Sequence, residues 1–236
     1  MWTLLLALLA CQPNPADTAA ADSDSDVSEV ARGPIQFGFP LPERDMVTAR
    51  IGVDHDPTNN GGGFGGAACV DYEGRSFPNC YDQHDGSDYM LKGGFDTMDA
   101  GSIDIVAAAD GVVIAVESEQ YDRCHIDFAE FDVTCDGHPM SANYVILEHE
   151  GGIRSWYWHM KTGSPTVEVG QEVGCGEVIG KVGSSGNSSG PHLHFQIMDD
   201  EGNAVDPYAG PESQPETWWS DQGELTEFPG PGCTQP

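Results

Sequence analysis

Basic residues are scarce in this chain. Nine Lys and Arg stand against 39 Asp and Glu, a formal net charge of −30. Phosphate recognition needs clustered Lys and Arg, so this balance argues against a nucleic-acid binder. Long apolar runs are missing too. None approaches the ~20 residues of a membrane-spanning helix, so no integral membrane segment is expected. Helical periodicity is absent from every window of about 12 residues. Glycine and proline are abundant instead, at 30 and 16. They disfavour a helical bundle and favour strands joined by turns. The length of 236 residues suits one domain with tails. It is enough to bury a core without help from metal or disulfides.

The chain starts Met-Trp-Thr-Leu-Leu-Leu-Ala-Leu-Leu-Ala-Cys. That apolar run has the length of a signal-peptide core and is too short for a span. Its end, Leu8-Leu9-Ala10-Cys11, resembles a bacterial lipoprotein cleavage box, with Cys11 as the lipid-bearing residue. No Lys or Arg precedes the run, which departs from that pattern. Residues 1–10 are therefore expected to be a signal peptide. Residues 11–45 are read as an acidic, disordered tether, because the stretch to Gly33 has too few large apolar residues to offset its conformational entropy. Its Asp-Ser-Asp-Ser-Asp run lacks the Gly and distal Glu of an EF-hand loop.

Six further cysteines remain, an even number in a chain read as exported, so three disulfides are expected. Proximity suggests Cys69–Cys80 and Cys124–Cys135, leaving Cys175–Cys233 to fasten the tail. A rival reading makes Cys124, His125, Cys135 and His138 a zinc cluster. Their spacing fits no familiar finger.

Regular strand patterning begins near Phe95. Ile103–Ala108 and Asp110–Val116 read as two strands joined by an Asp110-Gly111 turn. Asn143–His149, a turn at Glu150–Gly152 and Ile153–Met160 read as a second hairpin. Thr166–Val169, Glu177–Val182 and Phe195–Met198 complete the set. The fold is therefore mainly β, an antiparallel domain over residues 46–210. The tail, residues 211–236, is expected to be irregular and to pack through Trp218 and Trp219.

The chemistry concentrates in histidines. His192 and His194 flank Leu193 at the start of a strand, so both imidazoles point to one face. Either both bind metal, or one binds metal while the other handles a proton. Upstream, His84 and Asp88 lie four positions apart around Gly86, whose freedom permits a tight path that turns both side chains inward. Two neutral imidazoles and one carboxylate make a zinc ligand set with a position open for water. Such an ion acidifies water and polarises a carbonyl.

These residues resemble the motifs of lysostaphin/LytM-type peptidoglycan endopeptidases, the M23 family. The motifs are His84…Asp88, Tyr157-Trp158-His159-Met160 and His192-Leu193-His194. The linking stretches Val106–Val113, Val169–Val173, Ile179–Gly186 and Gly190–Phe195 resemble the family as well. The resemblance covers about His84 to Tyr208. It implies one zinc ion per chain on His84, Asp88 and His194. It implies His192 as the base or orienter of the attacking water, and His159 as the group stabilising the transition state. It further implies a peptidoglycan peptide or Gly-rich peptide as substrate; the lipoprotein-like start adds the expectation of a cell-envelope location with membrane contact only through Cys11, and a monomer is expected. Trp158 and Met160 replace the smaller residue and the Leu usual there, which points to an altered cleft wall.

Other residues carry weaker signals. His149 fits a packing or supporting role. His55, His125 and His138 have no partner pattern. Gly186-Asn187-Ser188-Ser189-Gly190 satisfies the serine-hydrolase elbow motif, but Pro191 and a β-like run follow where a helix is required. Tyr72, Tyr81 and Tyr89 are each candidates to stabilise an oxyanion. The stretch from Pro34 to Gly66, with Asn59-Asn60-Gly61-Gly62-Gly63, reads as a lid or a linker. Two rival functions remain: a non-enzymatic activator of wall hydrolases, and an endopeptidase for Gly-rich extracellular proteins. The acidity sits oddly with an anionic wall polymer, although salt screens charges beyond about 10 Å.

Overall fold

The structure is a computed structural model of the 236-residue chain, described for residues 31–55, 70–75, 81, 83–224 and 227–233. The signal-like segment, Cys11, the Asp-rich run, Asn59–Gly63, Cys69 and Cys80 lie outside the described residues. In chain order the elements are β1 (Ala31–Phe37), β2 (Val47–Val53), β3 (Gly86–Leu91), α1 (Phe95–Ala100), β4 (Asp104–Val106) and β5 (Gly111–Glu117). There follow β6 (His125–Asp127), β7 (Asp132–Thr134), β8 (Tyr144–Glu148), β9 (Arg154–Trp158) and β10 (Glu172–Val173). The last are β11 (Val178–Lys181), β12 (His192–Met198), β13 (Ala204–Val205) and β14 (Glu216–Trp219). Among the described residues no helix is long and apolar enough to cross a membrane.

The domain is mainly β. Its centre is an antiparallel sheet in the order β10-β5-β8-β9-β12-β3-β2, with β13 paired to β12. Alternation along each strand gives the sheet two unlike faces. On β9, Ser155 and Tyr157 are fully buried while Arg154, Trp156 and Trp158 are half-buried. On β3, Ser87, Tyr89 and Leu91 are buried and Asp88 and Met90 are half-buried. The apolar face joins Tyr89, Val113, Val145, Leu147, Tyr157, Leu193, Phe195 and Ile197 into one core.

The strand pairing corrects four expectations. Ile103–Ala108 and Asp110–Val116 do not form a hairpin. β4 pairs with β11, whereas β5 pairs with β8 and β10. The intervening Ala107 and Ala108 run through the core, fully buried. Their backbone groups bond to Glu177, Gly38 and the Tyr157 hydroxyl, so the chain does not fold back on itself. Thr166–Val169 is not a ladder strand. Pro165 precedes it without a donor, and Thr166 N to Ile179 O, 3.1 Å, is its backbone link to β11. The tail is not irregular throughout, because β14 pairs in parallel with β1. Residues 31–45, read as tether, are ordered for the same reason: Phe37, Phe39 and Leu41 carry their side chains into the core beside Trp219.

Two expected disulfides are present, Cys124–Cys135 and Cys175–Cys233. The first closes the hairpin β6–β7, and the second ties the tail to the β10–β11 turn. The zinc alternative at Cys124 and Cys135 is thereby overturned, since both sulfurs are consumed. Its histidines go elsewhere: His138 stacks on Tyr121 at 4.1 Å and His125 Nδ1 lies 3.1 Å from Arg123 O.

Candidate metal centre

Register builds the site. His194 on β12 stands opposite Asp88 on β3 and Trp158 on β9, while His192 stands opposite Met90. Odd-even alternation sends Leu193 into the core and leaves His192 and His194 on the other face. His84 arrives from the turn before β3. Gly86 makes that approach possible, because a Cβ there would sit 2.9 Å from the His194 ring and 2.6 Å from Phe195 O.

Three donor atoms converge. His194 Nδ1 lies 3.1 Å from His84 Nε2 and 3.1 Å from Asp88 Oδ1, and His84 Nε2 lies 3.5 Å from the same oxygen. Two imidazole lone pairs and a carboxylate oxygen at these separations repel one another unless a cation or proton lies between them. A tetrahedral ion with ligand bonds of ~2.0–2.1 Å spaces its donors by about 3.3 Å. The residues fit a small divalent ion such as zinc. His84, Asp88 and His194 are the group of potential ligands found among the described residues.

The other two histidines stand beside this cluster. The His159 ring is 4.6 Å from His192 and 6.0 Å from His194. His159 Nδ1 donates to Ser185 O at 2.6 Å, which leaves Nε2 for the site. The residue adopts φ +63, a left-handed conformation that costs a non-glycine residue ~1–2 kcal/mol. The Ser185 bond and the link from Met160 N to Asn143 O hold it there. His192 Nδ1 donates to Gly190 O at 2.7 Å, and its Nε2 faces Asp88 Oδ1 at 3.5 Å.

The electrostatics divide the groups. Burial by itself would raise Asp88, but the His192, His194 and His84 imidazoles around it outweigh burial and hold it well below the usual carboxylate range. Burial lowers His84, with Asp88 in partial opposition. Burial also pushes His159 well below the ordinary value, and the neighbouring rings of His192 and His194 add to it. Burial opposes a charge on His192, yet Asp88 and the Gly190 carbonyl raise it overall.

One supporting residue carried no expectation from sequence. Gln196 Oε1 accepts from His194 Nε2 at 3.0 Å, which fixes the tautomer that presents Nδ1 to the cluster. Its only sequence signal is the period of two, since His192, His194 and Gln196 share one face of β12. Of the three tyrosines, Tyr81 alone borders the site, stacked on His84 at 4.8 Å. Tyr89 packs edge-on against Phe39, and Tyr72 stacks on Tyr208 beside His55. Both belong to the core. Trp158 does line the site, 6.3 Å from His194 and stacked between Trp156 and Tyr144. Met160 does not; it is fully buried against Gly180 and Val182. Ser188 is fully buried, and β12 follows it rather than a helix, so the elbow motif is incidental. A cleft of about 340 Å³ opens beside His84, lined also by Asp54, Asp85, Asn203 and Asp206.

An antiparallel β domain with a His–Asp–His cluster and two further histidines defines the class of site, a candidate metal centre on a β-sheet floor. The model of peptidase family M23 matches residues 83–207, more than half of the chain, and the chain belongs to that family. It is similar to the glycyl-glycine endopeptidase ALE-1 of Staphylococcus capitis, 45% identical over 53 residues, which is 22% of this chain and 14% of that protein. It is similar to the peptidoglycan DD-endopeptidase ShyA of Vibrio cholerae, 36% identical over 61 residues, 26% of this chain and 14% of that one. The matched stretch thus spans about a seventh of each relative's length. Among solved structures, the catalytic domain of lysostaphin from Staphylococcus simulans is 28% identical. That alignment covers 52% of this chain and 75% of that one, with a TM-score of 0.35.

Proposed function

We propose that this chain is a zinc-dependent endopeptidase that hydrolyses peptide cross-links of bacterial peptidoglycan. The observation that carries the reading is the convergence of His84, Asp88 and His194 donor atoms at 3.1–3.5 Å, with two Nδ1-anchored imidazoles alongside. Family membership and relatives named as glycyl-glycine and peptidoglycan DD-endopeptidases support it.

His84 Nε2, Asp88 Oδ1 and His194 Nδ1 would hold the ion. When bound, zinc supplies Lewis acidity towards a carbonyl and towards water. His192 presents Nε2 beside Asp88 and accepts the proton of the attacking water. Once Asp88 serves as a ligand, its charge no longer holds a proton on His192. With Nδ1–H held by Ser185 O, the neutral His159 ring offers only a lone pair at Nε2, so His159 would stabilise charge developing on the carbonyl oxygen as an imidazolium donating from Nε2–H, against the burial that lowers its pKa. The imidazole that has taken the proton returns it to the leaving amine. We further propose that residues 1–10 direct export, that Cys11 carries a lipid in the cell envelope, and that the acidic stretch spaces the domain from the membrane.

The test pairs metal content with wall hydrolysis. The full chain, produced in an oxidising compartment, should bind about one zinc and release peptides from purified sacculi, and His194→Ala should do neither. Zinc-loaded, folded protein that leaves sacculi intact but cuts an elastin-like protein would move the substrate to Gly-rich proteins. Folded protein that binds no zinc and cuts nothing would support a non-enzymatic activator. The complete ligand set favours the enzyme.

A further inference from the structure

The loop between β11 and β12, residues 182–191, supplies the carbonyl anchors of both proposed catalytic imidazoles, Ser185 O and Gly190 O. The hairpin β6–β7 is one support of this loop, beside Asn143 N and Met160 O, which both bond Ser185 Oγ. Cys124 N donates to Ser184 O at 2.9 Å, and Ile126 N donates to Ser189 O at 3.1 Å. Cys135 Sγ lies 3.5 Å from Gly186 O. The Cys124–Cys135 disulfide closes this hairpin at its base.

A line of side-chain contacts runs inward from the same place. His192 Nδ1 is 3.2 Å from Ser188 Oγ, which is 2.8 Å from Ser184 Oγ, which is 2.6 Å from Cys124 O. Ser184, Ser188 and Cys124 are fully buried and His192 nearly so. Ser188 Oγ also lies 2.9 Å from Gly190 O, so it braces both the His192 ring and that ring's carbonyl anchor, and one proton arrangement runs the full length of the line. His192 Nδ1–H is shared between Gly190 O and Ser188 Oγ, Ser188 donates to Ser184, and Ser184 donates to the Cys124 carbonyl. Every donor then has an acceptor, as buried polar groups require. The relay terminates on a backbone carbonyl that the disulfide fixes in place.

We infer that Ser184 and Ser188 are positioning residues that lock the His192 ring to the disulfide-closed hairpin. They touch neither substrate nor ion. They act by removing the ring's freedom to turn Nε2 away from the reacting centre. The hairpin is therefore part of the catalytic scaffold and not a surface ornament. Removing the disulfide should weaken the same hold from the far end.

The kinetic part of this inference rests on the peptidase reading; its spectroscopic part does not. In the zinc-loaded full chain, Ser188→Ala and Ser184→Ala should each lower kcat about 10-fold, the lower end for partners one shell out. KM and zinc stoichiometry should be unchanged. The two losses should be less than additive, because each variant breaks the same line. The Cys124→Ala/Cys135→Ala double variant should lose kcat in the same way. In imidazole ¹H–¹⁵N spectra, the His192 Nδ1–H should be protected from exchange in the wild type and exchange faster in each variant, where Gly190 O alone remains its acceptor or is no longer braced. A wild type that binds no zinc and cuts nothing would sink the peptidase reading while the spectra still decided the relay. If both serine variants keep the protected proton and wild-type kcat, the inference is wrong. If Ser188→Ala fails to fold, Ser184→Ala, one link further out, decides it by the same measurements.

Discussion

Among the described residues histidine meets carboxylate in two places, and the two behave differently. At His55 and Asp206 the contacts pair a donor with an acceptor. His55 Nδ1 is 3.1 Å from Asp206 Oδ2, Asp206 also accepts from Ser213 Oγ at 2.8 Å, and the rings of Tyr72 and Tyr208 enclose the imidazole edge-on. At His84, Asp88 and His194 three acceptor-type atoms face one another at 3.1–3.5 Å. The contacts of the first grouping need no ion between them. The second needs something positive in its middle. Residue type alone does not separate a site from a structural pair; convergence of lone pairs does.

The sharpest way to break this contrast is Asp88→Asn. It keeps the shape and removes the anionic oxygen that three imidazoles surround. Activity should fall by more than the ~10²–10³-fold of losing a single oxyanion donor, and bound zinc should drop to background. Calorimetric unfolding of the chelated variant should still show a cooperative transition. A milder change is Gln196→Leu, which leaves all three ligands in place but frees His194 Nε2. Zinc affinity should weaken by ~10–100-fold, measured by competition with a chelator. An unchanged affinity would mean that packing alone sets the His194 tautomer.

The site was more legible in sequence than the topology was. His84, Asp88, His159, His192 and His194 come from three separate stretches, and the structure brings all five together. They could be read because strand period fixes the face of His192 and His194, and because Gly86 marks a close approach. Strand partners were less legible. Asp110-Gly111 carries a strong hairpin signal, yet Ala107 and Ala108 are small enough to thread the core, so β4 and β5 part company. Local turn chemistry lost to non-local packing. The order of residues 31–45 was hidden for a related reason: Phe37, Phe39 and Leu41 are too few to show a pattern, and β1 gains its partner, β14, from the far end of the chain. Ser184, Ser188 and Gln196 were invisible because their importance lies in what they touch.

The converse experiment on the comparison is His55→Phe. The ring volume is roughly kept and one hydrogen bond to Asp206 is lost, while that carboxylate retains Ser213 Oγ. Urea unfolding should show a loss of about 1 kcal/mol. Zinc content and activity per folded molecule should stay within twofold. A variant that lost zinc would mean that the two groupings are coupled across the cleft they both border, and the contrast drawn above would fail.

The smallest effect sharpens the contrast from a third histidine. His149 has both ring nitrogens engaged, Nδ1 2.7 Å from Asp110 O and Nε2 2.8 Å from Ser155 Oγ, and it makes no contact with the cluster. Burial lowers its pKa, with the Asp110 carbonyl in partial opposition. A lowered value means that the folded state binds fewer protons than the unfolded chain as pH falls through ~6.5. Its contribution to stability is therefore complete above ~6.5 and declines towards the lower folded value. His84 and His159 share that sign and His192 opposes it, so the wild-type curve alone does not isolate His149. The difference between wild type and His149→Gln does. Measured by urea unfolding with chelator present, wild type should lose stability relative to the variant as pH drops from 7 to 5. A flat difference would mean that His149 keeps its proton in the fold, and that its two bonds to Asp110 O and Ser155 Oγ are both made by a charged ring.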